Sequence, residues 1–114
     1  MQKPFDEQRP WGSFRQFTTS EPVTVKILHV NRGEQLSLQH HTQRTEFWRV
    51  LSGTPRITIG NEIREAHGGD EFEIYTGVEH RISAPNDDVE CLEISYGTFD
   101  EHDITRVEDK YGRT

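Results

Sequence analysis

Four polar residues have the types and spacing of ligands for a divalent metal ion: Gln39, His41, Glu46 and His80. Imidazole nitrogen suits zinc, iron, nickel or copper, whereas carboxylate and amide oxygens also suit manganese and cobalt. Such a ligand set leaves the ion a net positive charge and room for water or substrate oxygens. The residue types are therefore typical of a site for one divalent metal, with zinc, cobalt, manganese, nickel and iron as the candidates. A hydrogen-bonded polar cluster without metal is the alternative that spacing alone leaves open.

Strand alternation predicts that these side chains point inward. Gln39 and His41 lie two residues apart, which places them on one face of an extended strand. Glu46 shares a face with Trp48, and His80 opens a later apolar run. A carboxylate directed at an apolar interior is costly unless it is paired or bound to a metal. The pattern thus brings polar groups to positions where a core is expected.

The elements that must hold these residues read as short β-strands. Runs rich in β-branched or alternating apolar residues recur about every ten residues, with Gly, Pro or Asn between them. No helical stripe of three or more turns is present. The pattern predicts an all-β, single-domain sandwich or barrel over residues 1–114, with the N-terminal segment 1–20 and the C-terminal tail 98–114 packing on it. Residues 100–103 read as a plain acidic turn. The predicted strands are 23–30, 47–51, 56–59, 71–75, 80–84 and 89–96.

The composition indicates a domain that needs a stabilising element beyond its core. Only 31% of the 114 residues are apolar, which is little for a chain this short. A metal, a disulfide or a partner subunit usually supplies the missing stability. Cys91 is the sole cysteine, which excludes a disulfide within the chain and leaves a metal and a homodimer as expectations. The single thiol and an N-terminus without an apolar stretch predict a cytoplasmic protein.

Acidic residues outnumber basic residues. Thirteen Lys and Arg against twenty Asp and Glu give a formal net charge of −7. This balance argues against nucleic acid or an anionic membrane surface as a partner. No apolar run approaches the ~20 residues of a membrane-spanning helix. A small molecule is therefore the expected ligand.

Two motifs built of glycines and polar residues resemble those of the cupin superfamily. In the first motif, successive members are separated by five, one, four and six residues. In the second motif, successive members are separated by five, one and two residues. Gln39 takes the position at which the first histidine of the first cupin motif is usual. The resemblance implies a double-stranded β-helix, or jelly-roll barrel. The first motif is Gly33, Gln39, His41, Glu46 and Gly53, and the second is Gly69, Tyr75, Gly77 and His80.

A closer resemblance is to type II mannose-6-phosphate isomerase, the isomerase domain also found C-terminal to GDP-mannose pyrophosphorylase. The pair Gln39 and His41 is similar to the zinc-binding Gln-x-His of type I phosphomannose isomerases as well. Many type II members carry histidine where this chain has Gln43 and Phe47. The segments that carry the resemblance span most of the chain: residues 9–12, 36–39, 44–48, 52–54 and 103–113.

The resemblance implies interconversion of mannose 6-phosphate and fructose 6-phosphate through a cis-enediol. A metal would polarise the carbonyl, and a general base would move a proton between C1 and C2. Lys26 is the first candidate for this base, because it lies in an apolar strand where desolvation favours a neutral amine. Its orientation stays open, since Ile27 and Leu28 leave the inward face ambiguous. Glu108 and Asp109, in the family-like tail, are the alternatives.

A sugar phosphate is a dianion, so an acidic protein must offer it a local basic cluster. Arginine suits this role because its guanidinium binds phosphate with two parallel hydrogen bonds. The candidates are the arginines of the family-like segments: Arg9, Arg44, Arg106 and Arg113.

Two further functions compete with the isomerase. The first is a non-catalytic cupin that binds a metal or a sugar. The second is another cupin enzyme, such as a sugar epimerase or a dioxygenase. Iron dioxygenases of this fold usually carry three histidines and a glutamate, so Gln39 argues mildly against that activity.

Overall fold

Residues 3–113, which the computed structural model describes, form eleven β-strands. The all-β prediction is confirmed. No helix in this span has the length and apolar character that crossing a membrane requires. The strands are β1 (Phe5–Arg9), β2 (Gly12–Gln16), β3 (Val23–Val30), β4 (Leu38–His40), β5 (Arg44–Ser52), β6 (Arg56–Ile59), β7 (Glu62–Glu65), β8 (Glu71–Ile74), β9 (His80–Ser83), β10 (Val89–Gly97) and β11 (Thr105–Glu108).

The strands form two antiparallel sheets and a separate hairpin. One sheet has the order β3-β10-β5-β8, the other has the order β11-β4-β9-β6-β7, and β1 pairs only with β2. Apolar side chains from both sheets pack against each other in one core, with Trp48 and Val50 from β5 and Ile57 and Ile82 from the facing sheet. Burial of these alternating residues is what fixes the strand register.

A second apolar cluster lies on the other face of the first sheet. Phe47, Ile94 and Tyr96 are buried there. The ring of Phe17, just after the N-terminal hairpin, lies 5.7 Å from the ring of Phe47. Strand β5 is therefore covered on both faces, with Trp48 inside the barrel and its neighbour Phe47 outside.

The strand register brings the predicted metal ligands together. Gln39 of β4 pairs with His80, the first residue of β9. Glu46 of β5 pairs with Ser95 of β10, and both are 1% exposed. The inward orientation predicted for Glu46 and for His80, which is also 1% exposed, is confirmed. The site is thus set by the two sheets, not by loops alone.

Both terminal segments contact the sheets. Arg15 of β2 forms an ion pair with Glu71 of β8, with Nη2 and Oε1 2.6 Å apart. At the other end β11 extends the second sheet by pairing with β4. Beyond it, Lys110 Nζ donates a hydrogen bond to the carbonyl oxygen of Gly33.

Candidate metal centre

Three buried side chains converge near the end of β4. His41 directly follows β4, Glu46 lies in β5 and His80 begins β9. One ligand atom of each lies within 4.8 Å of the others. Glu46 Oε1 is 3.0 Å from His80 Nε2 and 3.5 Å from His41 Nε2. These are the spacings of donors that could surround a single cation.

Backbone carbonyls fix the protonation of both imidazoles. His41 Nδ1 lies 2.7 Å from the carbonyl oxygen of Asp103, and His80 Nδ1 lies 2.9 Å from that of Val78. A carbonyl only accepts, so each Nδ1 carries a proton, and Nε2 is the nitrogen of each ring that is left to face a cation. Burial lowers the pKa of His41, which favours the neutral ring that a metal needs.

The Nε2 atoms of the two histidines and the carboxylate of Glu46 face one another. Glu46 Oε1 and His80 Nε2 are buried and have no hydrogen-bond partner among the described residues, although they lie 3.0 Å apart. Two buried acceptors in such proximity are unfavourable unless a cation lies between them. The residues present therefore fit a divalent metal.

The charge of Glu46 is maintained by its basic neighbours. Burial is the largest influence and works to raise the pKa of this carboxyl, but His80, His41 and Arg44 together outweigh burial, and the pKa lies below the usual value for a glutamate. The second carboxylate oxygen accepts hydrogen bonds from Arg44 Nε at 3.2 Å and from Ser95 Oγ at 3.3 Å. Glu46 is thus an anchored carboxylate with one oxygen left for a cation.

Gln39 lies beside these donors. Its Nε2 is 3.4 Å from His41 Nε2, and its Oε1 accepts a hydrogen bond of 2.6 Å from Ser37 Oγ. Rotating the amide by 180° would turn Oε1 toward His41 and still leave Ser37 Oγ a partner, because a hydroxyl both donates and accepts. The side chain therefore has an oxygen available for the same centre.

The guanidinium of Arg44 competes for one lone pair of the centre. Arg44 Nη2 lies 3.2 Å from His41 Nε2, and Nη1 donates to the carbonyl oxygen of Asp100 at 3.2 Å. A metal on His41 Nε2 would have to displace this guanidinium. Arg44 also lines an adjacent cavity, which gives the side chain room to move.

The cavity beside the centre has a volume of about 520 Å³ and the size of a small-molecule site. Its walls include Gln39 and Glu46 from the predicted ligand set. Three further predicted residues, Lys26, Arg106 and Arg113, also line it. The structure thus brings most of the predicted site together around one opening.

Lys26 faces the cavity because β3 alternates. Leu28 and Val30, on the same face, pack in the core, whereas Val25 and Ile27 are exposed on the other face. The Lys26 ammonium lies 4.4 Å from the centre of the Phe99 ring. The inward face that the sequence left ambiguous is therefore that of Lys26.

The remaining predicted residues lie elsewhere or are engaged by neighbours. Arg9 stacks on Phe14 within the N-terminal hairpin, 5.0 Å from its ring centre, and does not line the cavity. Glu108 forms an ion pair of 3.6 Å with Arg81 and lies outside the cavity too. Asp109 holds the guanidinium of Arg113 through both carboxylate oxygens, each at 2.9 Å.

Two acidic residues of the site escaped the sequence prediction. Glu93, in β10, lines the cavity and is only 6% exposed. Its position could have been found, because Val89, Cys91 and Ser95 alternate with it on the inward face. Asp103 orients His41 through its carbonyl oxygen. The interpretation of residues 100–103 as a plain turn was therefore incomplete, and no local sequence signal could reveal a contact across so many residues.

The Asp103 carboxylate ties the tail to the turn before β5. It accepts hydrogen bonds from the backbone N–H of Thr42 at 2.9 Å, the hydroxyl of Thr42 at 2.7 Å and the backbone N–H of Gln43 at 2.9 Å. These bonds hold the pKa of Asp103 at about 2. Hydrogen bonds to the C-terminal tail therefore stabilise the turn that carries His41.

The two departures from type II sequences differ in their surroundings. Phe47 is buried in the outer apolar cluster, on the face of β5 opposite Glu46. Its side chain therefore leaves the cavity unchanged. Gln43 is exposed, and its backbone N–H is held by Asp103.

Comparison with known proteins shows which family the chain resembles. Residues 2–109 match the family model described as mannose-6-phosphate isomerase C-terminal. The xanthan biosynthesis protein XanB of Xanthomonas campestris is 39% identical over 108 residues, which cover 93% of this chain and 23% of that protein. The mannose-1-phosphate guanylyltransferase ManC of Salmonella typhimurium is 36% identical over 107 residues, which cover 92% and 22%.

The fold is shared with a cupin protein of Bacteroides fragilis, with a TM-score of 0.59 and 25% identity over 73% of this chain and 82% of the other. The cupin fold implied by the two motifs is thereby confirmed. The chain spans less than a quarter of the length of the curated relatives named above. Sequence match and fold agree, and the chain belongs to the mannose-6-phosphate isomerase C-terminal family.

Proposed function

We propose that this domain interconverts mannose 6-phosphate and fructose 6-phosphate with the help of one divalent metal. The observation that carries the proposal is the placement of two imidazole nitrogens and a carboxylate oxygen beside a cavity whose lining includes four basic side chains. The family supports the same substrate class, since its description names mannose 6-phosphate. The activities of the longer relatives are not assigned to this chain.

The metal would be held by His41, Glu46 and His80, with the amide oxygen of Gln39 as a fourth ligand. Zinc is the first candidate because two imidazoles and a carboxylate are a donor set that zinc accepts, and cobalt, manganese, nickel and iron remain alternatives. When bound, such an ion acts as a Lewis acid that polarises the sugar carbonyl.

The phosphate would be held by the basic side chains at the cavity. Arg106 and Arg113 lie in its wall with Lys26. Arg44, once displaced from His41, would add a guanidinium that can bind phosphate with two hydrogen bonds. Arg9 stays outside this proposal because its hairpin does not contribute to the cavity.

Of the three candidate bases expected from the sequence, Lys26, Glu108 and Asp109, Lys26 alone lies at the cavity. Its side chain lines the cavity, whereas Glu108 is engaged with Arg81 outside it. A base must come within hydrogen-bond reach of the proton that it removes. Glu108 therefore has no part in the proposed reaction.

A coupled assay with mannose 6-phosphate, with zinc, cobalt or manganese and then with a chelator, tests the proposal. We expect turnover that the chelator abolishes and that added metal restores. His41→Ala and His80→Ala should lose both turnover and bound metal by elemental analysis. His29→Ala changes an exposed histidine of β3 that pairs with Glu90 and should keep both.

Absence of turnover with every metal would contradict the isomerase and favour the non-catalytic cupin. Turnover that survives the chelator, or metal retained in both site variants, would contradict the metal centre. A homodimer and a cytoplasmic location remain predictions from the sequence.

A further inference from the structure

A second buried carboxyl lies in the cavity, apart from the candidate metal ligands. Glu93 of β10 is 6% exposed and lines the cavity with Lys26 and Glu46. Trp48 Nε1 donates a hydrogen bond of 3.0 Å to Glu93 Oε2. This bond fixes the carboxyl and leaves Oε1 for the cavity. Burying such a group is costly, and packing alone does not require it.

The neighbours of Glu93 come from both adjacent strands. In the strand register, Glu93 pairs with Lys26 of β3 on one side and with Trp48 of β5 on the other. Across the sheet, such pairs lie about 5 Å apart at their Cβ atoms. A substrate in the cavity would therefore meet a carboxyl and an ammonium side by side.

The Lys26 ammonium lies over an aromatic ring. The face of an aromatic ring attracts an ammonium ion, and the Phe99 ring lies 4.4 Å from Lys26 Nζ. A charged ammonium has no lone pair with which to accept a proton from carbon. It can instead stabilise negative charge that develops on a substrate oxygen.

The surroundings of Glu93 suit proton exchange. Its carboxyl is held by Trp48 at the wall of the cavity, and burial raises its pKa above the usual value for a glutamate. A raised pKa brings a carboxyl closer to the neutral range in which a general base works best.

We propose that Glu93 is the catalytic base of the isomerisation, and that Lys26 is the cation that faces the developing enediolate. This inference rests on the function proposed above. Glu93 Oε1 takes the proton from C2 of mannose 6-phosphate, and the electrons of the C2–H bond form the C1=C2 double bond while the carbonyl electrons move to O1. The proton of O2 passes to O1. The Glu93 carboxyl then returns its proton to C1, and the C2=O2 carbonyl of fructose 6-phosphate forms.

The test compares Glu93→Gln with the unchanged protein in the metal-loaded isomerase assay. Glutamine keeps the size of the side chain and an oxygen for Trp48 Nε1, but it cannot take a proton from carbon. We expect kcat to fall at least about 100-fold, the usual effect of losing a general base, with KM and metal content within about twofold. Incorporation of deuterium from D2O into the sugar should be lost to the same degree.

Glu90→Gln is the matched control. Glu90 lies on the same strand but is exposed on the outer face, so its variant should keep the kcat and the deuterium exchange of the unchanged protein. Lys26→Met should keep measurable exchange while kcat falls and KM changes little, because it removes stabilisation of charge that develops in the transition state and not the base.

Three outcomes would overturn the assignment, and they are distinguishable. If the unchanged protein is active and the kcat of Glu93→Gln is within threefold of its kcat, Glu93 is not the base, while the proposed function stands. If Lys26→Met loses exchange and Glu93→Gln keeps it, Lys26 is the base. If the unchanged protein is inactive with every metal, the proposed function itself fails. Should Glu93→Gln not fold, Glu93→Asp replaces it, with a reduced kcat expected and an unreduced kcat overturning the assignment.

Discussion

The two histidines of the centre owe their ligand character to backbone oxygens, not to other side chains. The carbonyls of Asp103 and Val78 each hold an Nδ1 proton, so both Nε2 lone pairs point away from the backbone. Fixing the orientation of a ligand in this way typically contributes a factor of ten to a hundred in metal affinity. Residues far from the first motif therefore decide whether that motif can bind a metal.

Asp103 provides a pH-dependent prediction at this scale. Hydrogen bonds, first from the backbone of Thr42, lower its pKa to about 2 in the folded protein, against roughly 3.9 for an unfolded aspartate. A lowered folded pKa stabilises the protein above the unfolded value, and this contribution is lost as the pH falls through the folded pKa. We therefore expect Asp103→Asn to lower the free energy of unfolding at pH 6, with a difference that shrinks between about pH 4 and pH 2.

Urea unfolding at several pH values measures this difference. Asp100→Asn removes a charge from the same loop, where the Asp100 carboxylate accepts a hydrogen bond from the backbone of His102, and so controls for charge alone. A difference between Asp103→Asn and the unchanged protein that is independent of pH would contradict the prediction.

At the scale of elements, the sequence predicts strands well where one face is buried. Strands β3 and β6 agree with the predicted ranges, and the other long core strands were found with errors only at their ends. Alternation of apolar residues is the signal in each case. The same signal placed Glu46 and His80 inside, and it would have placed Glu93 there.

Strands whose residues are mostly exposed escape such a pattern. All four residues of β7 are exposed, and those of β1, β2 and β11 are exposed or only partly buried. Their pairing comes from backbone hydrogen bonds to a neighbouring strand, which side-chain alternation does not record. Asp103 escaped for a related reason, since its partners at residues 41–43 are distant in sequence.

The turn after β5 gives a prediction at this scale. Gly53 and Gly33 both have a φ of +84°, but a Cβ at Gly53 would clash with the carbonyl oxygen of Asp88, whereas a Cβ at Gly33 has nothing within 4 Å. We expect Gly33→Ala to lower the free energy of unfolding by about 1 kcal/mol, the cost of a left-handed backbone. Gly53→Ala should lower it by about 2 kcal/mol or more. Urea unfolding of both variants checks this, and equal losses would show that the Asp88 contact is unimportant.

At the scale of the molecule, an acidic chain with a net charge of −7 concentrates basic side chains around one cavity. Lys26, Arg44, Arg106 and Arg113 all line it, and they outnumber its three carboxylates, Glu46, Glu93 and Glu101. Local potential, not the overall charge, decides whether an anion enters a cleft. The charge imbalance that argues against nucleic acid is therefore compatible with a phosphate ligand.

The apolar surface bears on the expected homodimer. Val25 and Ile27 are more than half exposed on the outer face of β3, beside the cluster that includes Phe47. Large apolar side chains exposed side by side favour association with a second copy. We expect the chain to sediment as a dimer and Ile27→Lys to sediment as a monomer. Ile63→Lys, at a still more exposed position among the charged residues of β7, should stay dimeric. A monomeric unchanged protein would refute the dimer.

Metal binding should also stabilise the whole molecule, because the donors come from β5 and β9 and from the residue after β4. A ligand that binds only the folded state at a hundred times its Kd adds about 2.7 kcal/mol, which for a domain of this size raises Tm by roughly 10 °C. We expect that shift on adding zinc to the chelator-treated protein, measured by thermal unfolding, and none with magnesium, which prefers oxygen ligands and keeps its waters. Glu46→Gln should abolish the zinc-induced rise in Tm, because it removes the only carboxylate of the proposed ligand set. If the unchanged protein has the same Tm in zinc and in chelator, that result would contradict a metal centre at this position.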